Sequence, residues 1–199
     1  MLTVEQIQQH FIEQLNHAIR RPGMFGPSEI GLDYTLTDVV YVTETGDRRT
    51  WRNTMSWAEA WTSHGVSGVV TLLMPETEQH GAASVYADYA HDHKWLTLDR
   101  TLTAEEYGEM RRALDTWCAV DRARADVIER FGEPSVRIGG NSDQALGYGL
   151  PGEPMVWFHT ADEEVVLAGR CGEPFVESLR FTPEGERRRP VDEDDEDDD

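Results

Sequence analysis

The stretch from Ile128 to Phe181 decides the fold. It reads IERFGEP (128–134), SVRIGG (135–140), QALGYGL (144–150), PMVWFHT (154–160), EEVVLAGR (163–170) and PFVESLRF (174–181). The first piece is a helix end. Gly132 stands where a helix C′ glycine belongs, and Pro134 prevents continuation. The rest are short apolar runs with Gly or Pro at nearly every junction, the signature of an antiparallel meander. Gly139–Asp143 is expected as a turn. It is too short, and lacks the following helix, to be a phosphate loop. Gly147 and Gly149 flank Tyr148 in a strand, where they permit a close backbone approach or a bulge.

Upstream, the capping-box pair Thr103/Glu106 opens a helical pattern running to Phe131. It is too long for one typical helix, so a break is expected near Thr116–Val120. A second capping box, Thr3/Gln6, opens an amphipathic helix over 3–20 whose apolar positions are Ile7, Phe11, Leu15 and Ala18. Pro22 ends it, and 20–27 (RRPGMFGP) reads as a reversal. Arg21–Met24 is also a string found near the nucleotide pocket of gyrase-type ATPases. The catalytic helix and glycine-rich lid of such a site are absent.

Between these anchors, Leu36–Glu44 reads as a strand. Ser56 and Glu59 have capping-box spacing for a short helix through Thr62. Val66–Met74 is apolar on both faces and reads as a central strand, and Ala82–Trp95 reads as a helix. The expected class is therefore α+β. A helical and mixed N-terminal lobe (1–100) precedes a lobe of helix plus antiparallel β-meander (101–183), and a disordered acidic tail (184–199) follows.

The 199 residues carry a formal charge of −20. The last eight, Asp192–Asp199, are all acidic, which leaves −12 on 1–191. Such a chain is repelled by nucleic acid and by anionic membranes, and attracts basic partners. An acidic run without apolar residues stays disordered, and Arg187–Arg189 are expected to pair with it transiently. The N-terminus has neither the basic nor the apolar region of a signal peptide, and no run approaches the roughly 20 apolar residues of a membrane span. A cytoplasmic location is expected. The basic residues are 17 Arg and one Lys, a bias of GC-rich coding that suggests an actinobacterial source. Cys118 and Cys171 lack zinc-type spacing and are expected as reduced thiols.

Motifs for catalysis are missing: no Gly-x-Ser-x-Gly, His-Glu-x-x-His, Walker loop, dinucleotide fingerprint or Cys-x-x-Cys occurs, and no cofactor is implied. The weak candidates are few. His159, ending a strand beside Asp162 and Glu163, has the setting of a general base. His91 and His93 share a face only if their segment is extended; on a helix they diverge and do not grip one metal, and a helix-end role is expected. Trp51, Trp57 and Trp61 are dense enough for an aromatic contact patch or a lid over the core. In size, charge and class the chain resembles the small acidic α+β proteins that bacteria use as immunity or antitoxin partners, although no motif carries the resemblance. The leading expectation is a module that binds a basic protein. The alternative is a small enzyme or ligand-binding protein with its site between the helical half and the meander, where His159, Asp162, His91 and Tyr148 are the first suspects.

Overall fold

The structure is a computed structural model that describes residues 2–23, 28–140, 142–170 and 175–190. Expectations for Met24–Pro27, Asn141, Cys171 and the Asp192–Asp199 tail lie outside them. Helices come first: α1 (Val4–Arg20), α2 (Ser28–Val42), α3 (Arg48–Trp57), α4 (Gly65–Leu73), a 3-10 turn (Pro75–Thr77), α5 (Glu78–Asp92), α6 (Ala104–Trp117) and α7 (Arg124–Phe131). The sheet follows: β1 (Val136–Gly139), β2 (Gln144–Tyr148), β3 (Val156–Ala161), β4 (Glu164–Arg170), the short α8 (Phe175–Ser178), β5 (Arg180–Phe181) and α9 (Pro183–Arg188). The strands form one antiparallel meander in the order β1-β2-β3-β4-β5. The class is α+β, with helices first and the meander after.

Alternation along each strand gives the sheet two apolar faces. Ile138, Ala145, Trp157 and Val166 face the helices α1–α5, while Leu146, Tyr148, Val156, Phe158 and Ala168 face α6 and α7. The result is three layers with the sheet in the middle. Both capping boxes form: Thr3 accepts from the Gln6 N–H and Thr103 from the Glu106 N–H. The break between α6 and α7 falls where expected, and Gly132 ends α7 at φ 78°. Gly147 is required by packing, because a Cβ there would lie 2.5 Å from the Trp157 ring and 2.8 Å from Val136.

Several expectations are corrected. Leu36–Glu44 is not a strand. It is the second half of α2, whose buried Leu32, Leu36, Val39 and Val40 recur at helical spacing. Val66–Met74 is not a central strand but α4, a short helix that buries Val66, Val69 and Val70. Short β-branched runs do not by themselves separate buried strand from buried helix. Here the deciding partner is distant. Glu29 of α2 accepts the Val66 and Ser67 N–H groups at 2.7 and 2.8 Å, capping α4 at a terminus that has no side-chain cap of its own. Ser56/Glu59 do not open a helix. Asp47 caps α3, which ends at Trp57, and Glu59 sits at φ 56°. Phe175–Ser178 is helical rather than extended.

The chain also stays ordered past 183. α9 is capped by Thr182, whose hydroxyl donates to the Val165 carbonyl at 2.5 Å, and Arg188 pairs with Glu76, Asp162 and Glu184. Arg187 pairs with Asp121 and Glu184, and Arg189 with Glu186, so the triplet binds the body of the protein and its own helix. Among the described residues, no helix is long and apolar enough to cross a membrane.

Candidate functional site

α5 is the centre of the molecule. Eleven of its fifteen residues are buried, because it lies between the other N-terminal helices and the sheet. A helix enclosed this way should be apolar all round. Instead His80, Ser84, Asp88 and His91, spaced four, four and three apart, put a polar stripe on one face. The stripe runs antiparallel to β3: His80 stacks on His159, and Asp88 accepts the Met155 N–H at 2.9 Å. His91 donates Nε2–H to the Leu150 carbonyl at 3.1 Å, since a carbonyl only accepts. Ser84 returns its hydroxyl to the Gly81 carbonyl.

At the N-terminal end, the His80 and His159 rings lie 5.6 Å apart and 24° from parallel, both buried. Burial favours the neutral imidazole. It lowers His80 to about 4, partly opposed by Asp143, and holds His159 well below its usual value, with His80 adding repulsion. Nε2 of His80, Nδ1 of His159 and Nε1 of neighbouring Trp157 have no hydrogen-bond partner. His80 also lines an open cleft of about 760 Å³ with Arg21, Glu76, Gln79, Ser142 and Asp143.

At the C-terminal end, a cleft of about 370 Å³ opens between α5, the end of α3 and the Gly152–Pro154 turn. Its walls include Met55, Val85 and Phe175, and its acidic groups are Asp88, Asp92 and Glu153. Burial pushes the Asp88 carboxyl up to about 7; the Met155 N–H opposes the rise and Asp92 adds to it. Among the described residues, no cation pairs with Asp88. A carboxyl poised near neutrality beside a cleft binds a cation or exchanges a proton.

The residues singled out from sequence fall apart spatially. His159 does not meet Asp162: the imidazole points at α5, while Asp162 sits in the β3–β4 turn at φ 50° and takes Arg188 at 3.2 Å. His91 lines the acidic cleft. His93 stands beyond the helix end, its ring between Tyr89 (4.3 Å) and Trp95 (4.7 Å), with Nδ1–H on the Tyr89 carbonyl. Among the described residues, no three His, Cys, Asp or Glu side chains gather as metal ligands. Tyr148 is buried on the opposite sheet face and donates to the Gly132 carbonyl.

The three tryptophans do not share a surface. Trp51 is fully buried against Trp61 and Tyr86, Trp61 is half-buried, and Trp57 is 80% exposed on its own. Cys118 is a buried free thiol. Sequence reading missed Asp88 as the central group because it began the helix at Ala82, which left His80 outside and hid the stripe.

With family models, curated proteins and solved structures alike, the chain gives no match.

Proposed function

We propose that the chain is a binding module for a basic partner, and that the acidic cleft at the end of α5 receives a cationic side chain from it. The observation that supports this reading is Asp88, a half-buried carboxyl on the cleft wall with no countercharge, in a cleft whose other ionisable groups include Asp92 and Glu153. A guanidinium or ammonium entering the cleft gives Asp88 its missing partner, and the aliphatic stem packs on Met55, Val85 and Phe175. The net charge of −20 steers a basic protein toward the surface and makes the encounter salt-dependent. In size, charge and class such a module resembles the small acidic α+β proteins that serve as immunity or antitoxin partners.

The test uses n-butylguanidinium as probe. Carbon-detected NMR titration of Asp88 should show its pKa falling by a unit or more when the probe is added, with the signals of Val85 and Met55 shifting. An Asp88 titration that ignores the probe overturns the reading. Co-purification at low salt then identifies the protein partner, which should leave as salt rises.

A second reading rests on the same carboxyl. A group titrating near 7 beside Tyr89 and His91 has the protonation state that general acid–base catalysis needs. This is the enzyme alternative, and it differs in its consequence: replacing Asp88 by Asn then abolishes turnover of a small substrate rather than capture of a partner.

A further inference from the structure

A third recess, of about 490 Å³, lies between α2, α3 and the start of α4. It is built on Asp33, which is 7% exposed. One carboxylate oxygen of Asp33 accepts from both Arg48 and Arg52, the latter at 2.7 Å. The Arg52 guanidinium is held over the Trp51 ring at 5.6 Å and the Trp61 ring at 5.1 Å, and Arg48 lies over Tyr34 at 5.3 Å. Both cations are therefore fixed in place rather than free to wander. Glu29, also in the wall, is spoken for: it takes two backbone N–H groups of α4 and the Tyr86 hydroxyl at 3.0 Å. Glu78 also stands in the wall, so the guanidinium groups are matched by carboxylates, and the pull on a ligand comes from hydrogen bonds left unmade rather than from net charge.

The second observation concerns unmet hydrogen bonds. Among the described residues, eight buried side-chain polar atoms have no partner, and four of them belong to this recess: Asp33 Oδ1, Arg48 Nε, Arg52 Nε and Ser67 Oγ. Buried polar atoms are nearly always satisfied, so a cluster of orphans needs an explanation. These four define a ligand. Two guanidinium N–H groups and a hydroxyl ask for an oxyanion, and a bare carboxylate oxygen asks for a proton donor on the same small group. A fully deprotonated anion such as sulfate meets the first demand and is repelled by the second. A phosphoryl group that keeps one proton meets both.

We infer that the Asp33–Arg48–Arg52 recess binds a protonated phosphoryl group, with the guanidinium groups on its oxygens and its P–OH donating to Asp33. Inorganic phosphate and a phosphate monoester share this chemistry. They part company with pH, because a monoester loses its last proton near pH 6 whereas inorganic phosphate still holds one at pH 8.

The experiment is calorimetry on the full chain with sodium phosphate, phenyl phosphate and sodium sulfate at pH 5.5 and pH 8, at fixed ionic strength. Phosphate should bind at least tenfold more tightly than sulfate at both pH values. Phenyl phosphate binding tighter than inorganic phosphate at pH 5.5, and lost at pH 8, identifies a monoester as the natural ligand. Inorganic phosphate binding as tightly or better identifies the free ion. Asp33→Asn should bring sulfate up to phosphate, and Arg52→Gln should weaken phosphate tenfold or more. If Asp33→Asn does not fold, the phosphate-to-sulfate ratio of the unaltered chain, with the Nε–H NMR signals of Arg48 and Arg52 as a local readout, still decides. No phosphate binding, equal binding of sulfate, or binding that leaves those two signals unmoved overturns the inference.

Discussion

Replacing Asp88 by Asn should stabilise the protein, increasingly so as pH rises from about 4 to about 7. In the folded state burial holds the carboxyl at about 7, against an ordinary value of 3.8. Between those values the folded protein keeps a proton that the unfolded chain has already released. Stability therefore falls as pH rises through this window. The difference corresponds to about 4 kcal/mol once pH exceeds 7, since each pH unit across the window costs about 1.4 kcal/mol. Asparagine is nearly the same size, and its carbonyl oxygen can still accept the Met155 N–H. It carries no charge to desolvate, so it escapes the penalty. Urea denaturation of both proteins at pH 4.5, 6 and 8 isolates the effect, because groups that titrate alike cancel in the comparison. The gap should be only about 1 kcal/mol at pH 4.5 and reach several kcal/mol at pH 8, or on the order of 10 °C in Tm for a chain of this size. A gap that stays constant across this range refutes the reasoning, for it means that Asp88 ionises normally and that the cleft has no buried charge to offer a partner.

His80 should behave in the opposite sense. Its folded value of about 4 lies below the ordinary 6.5, so the unfolded chain takes up the proton first and stability drops as pH falls from about 6.5 to about 4. Over the same range the Asp88 contribution rises, so the two offset one another in the unaltered protein. His80→Gln should make the loss of stability on acidification smaller than in the unaltered protein, with His159 still contributing in the same sense, read by the same denaturation series. Gly185→Ala should undock α9, because the new Cβ would lie 1.8 Å from the Val166 carbonyl oxygen. A loss of about 2–3 kcal/mol is expected, with faster proteolysis after Arg180. Trp51→Ala should cost about 3–5 kcal/mol in thermal or chemical unfolding, whereas Trp57→Ala should change stability by less than about 0.5 kcal/mol.

The parts of the fold that rest on local rules were legible in the sequence. Thr3, Thr103 and Gly132 announce helix ends through contacts within four residues, and the meander announces itself by strand runs between Gly and Pro. What escaped depends on contacts between distant residues. Val66–Leu73 has a strand's composition, and its helix is capped from α2 by a carboxylate 37 positions earlier. The segment after Thr182 is polar enough to look unstructured, but Arg188 finds Glu76 across 112 positions. The candidate sites were hidden for the same reason. His159 drew attention for its neighbours in sequence, and its neighbour in space is His80. Asp33 and Arg48, joined across fifteen positions, carry no local pattern that marks them as a pair. Trp51 and Trp61 were noticed as an aromatic cluster, and their use is to seat Arg52.

The β3–β4 register shift next to His159 leaves the Val165–Val166 backbone turned toward the last elements of the chain. Thr182 and Gly185 settle on those carbonyls, and β5 covers β4 with only two residues. The outer edge of β4 is thus closed by residues that follow it in the chain. Until residues 180–188 have emerged, the nascent chain presents an unpaired, apolar strand to its surroundings, the kind of edge that recruits other strands. The protein's exposure to misassembly is greatest while β4 has been made and residues 180–188 have not. Any chain cut short ahead of Thr182 keeps that exposure for its whole lifetime.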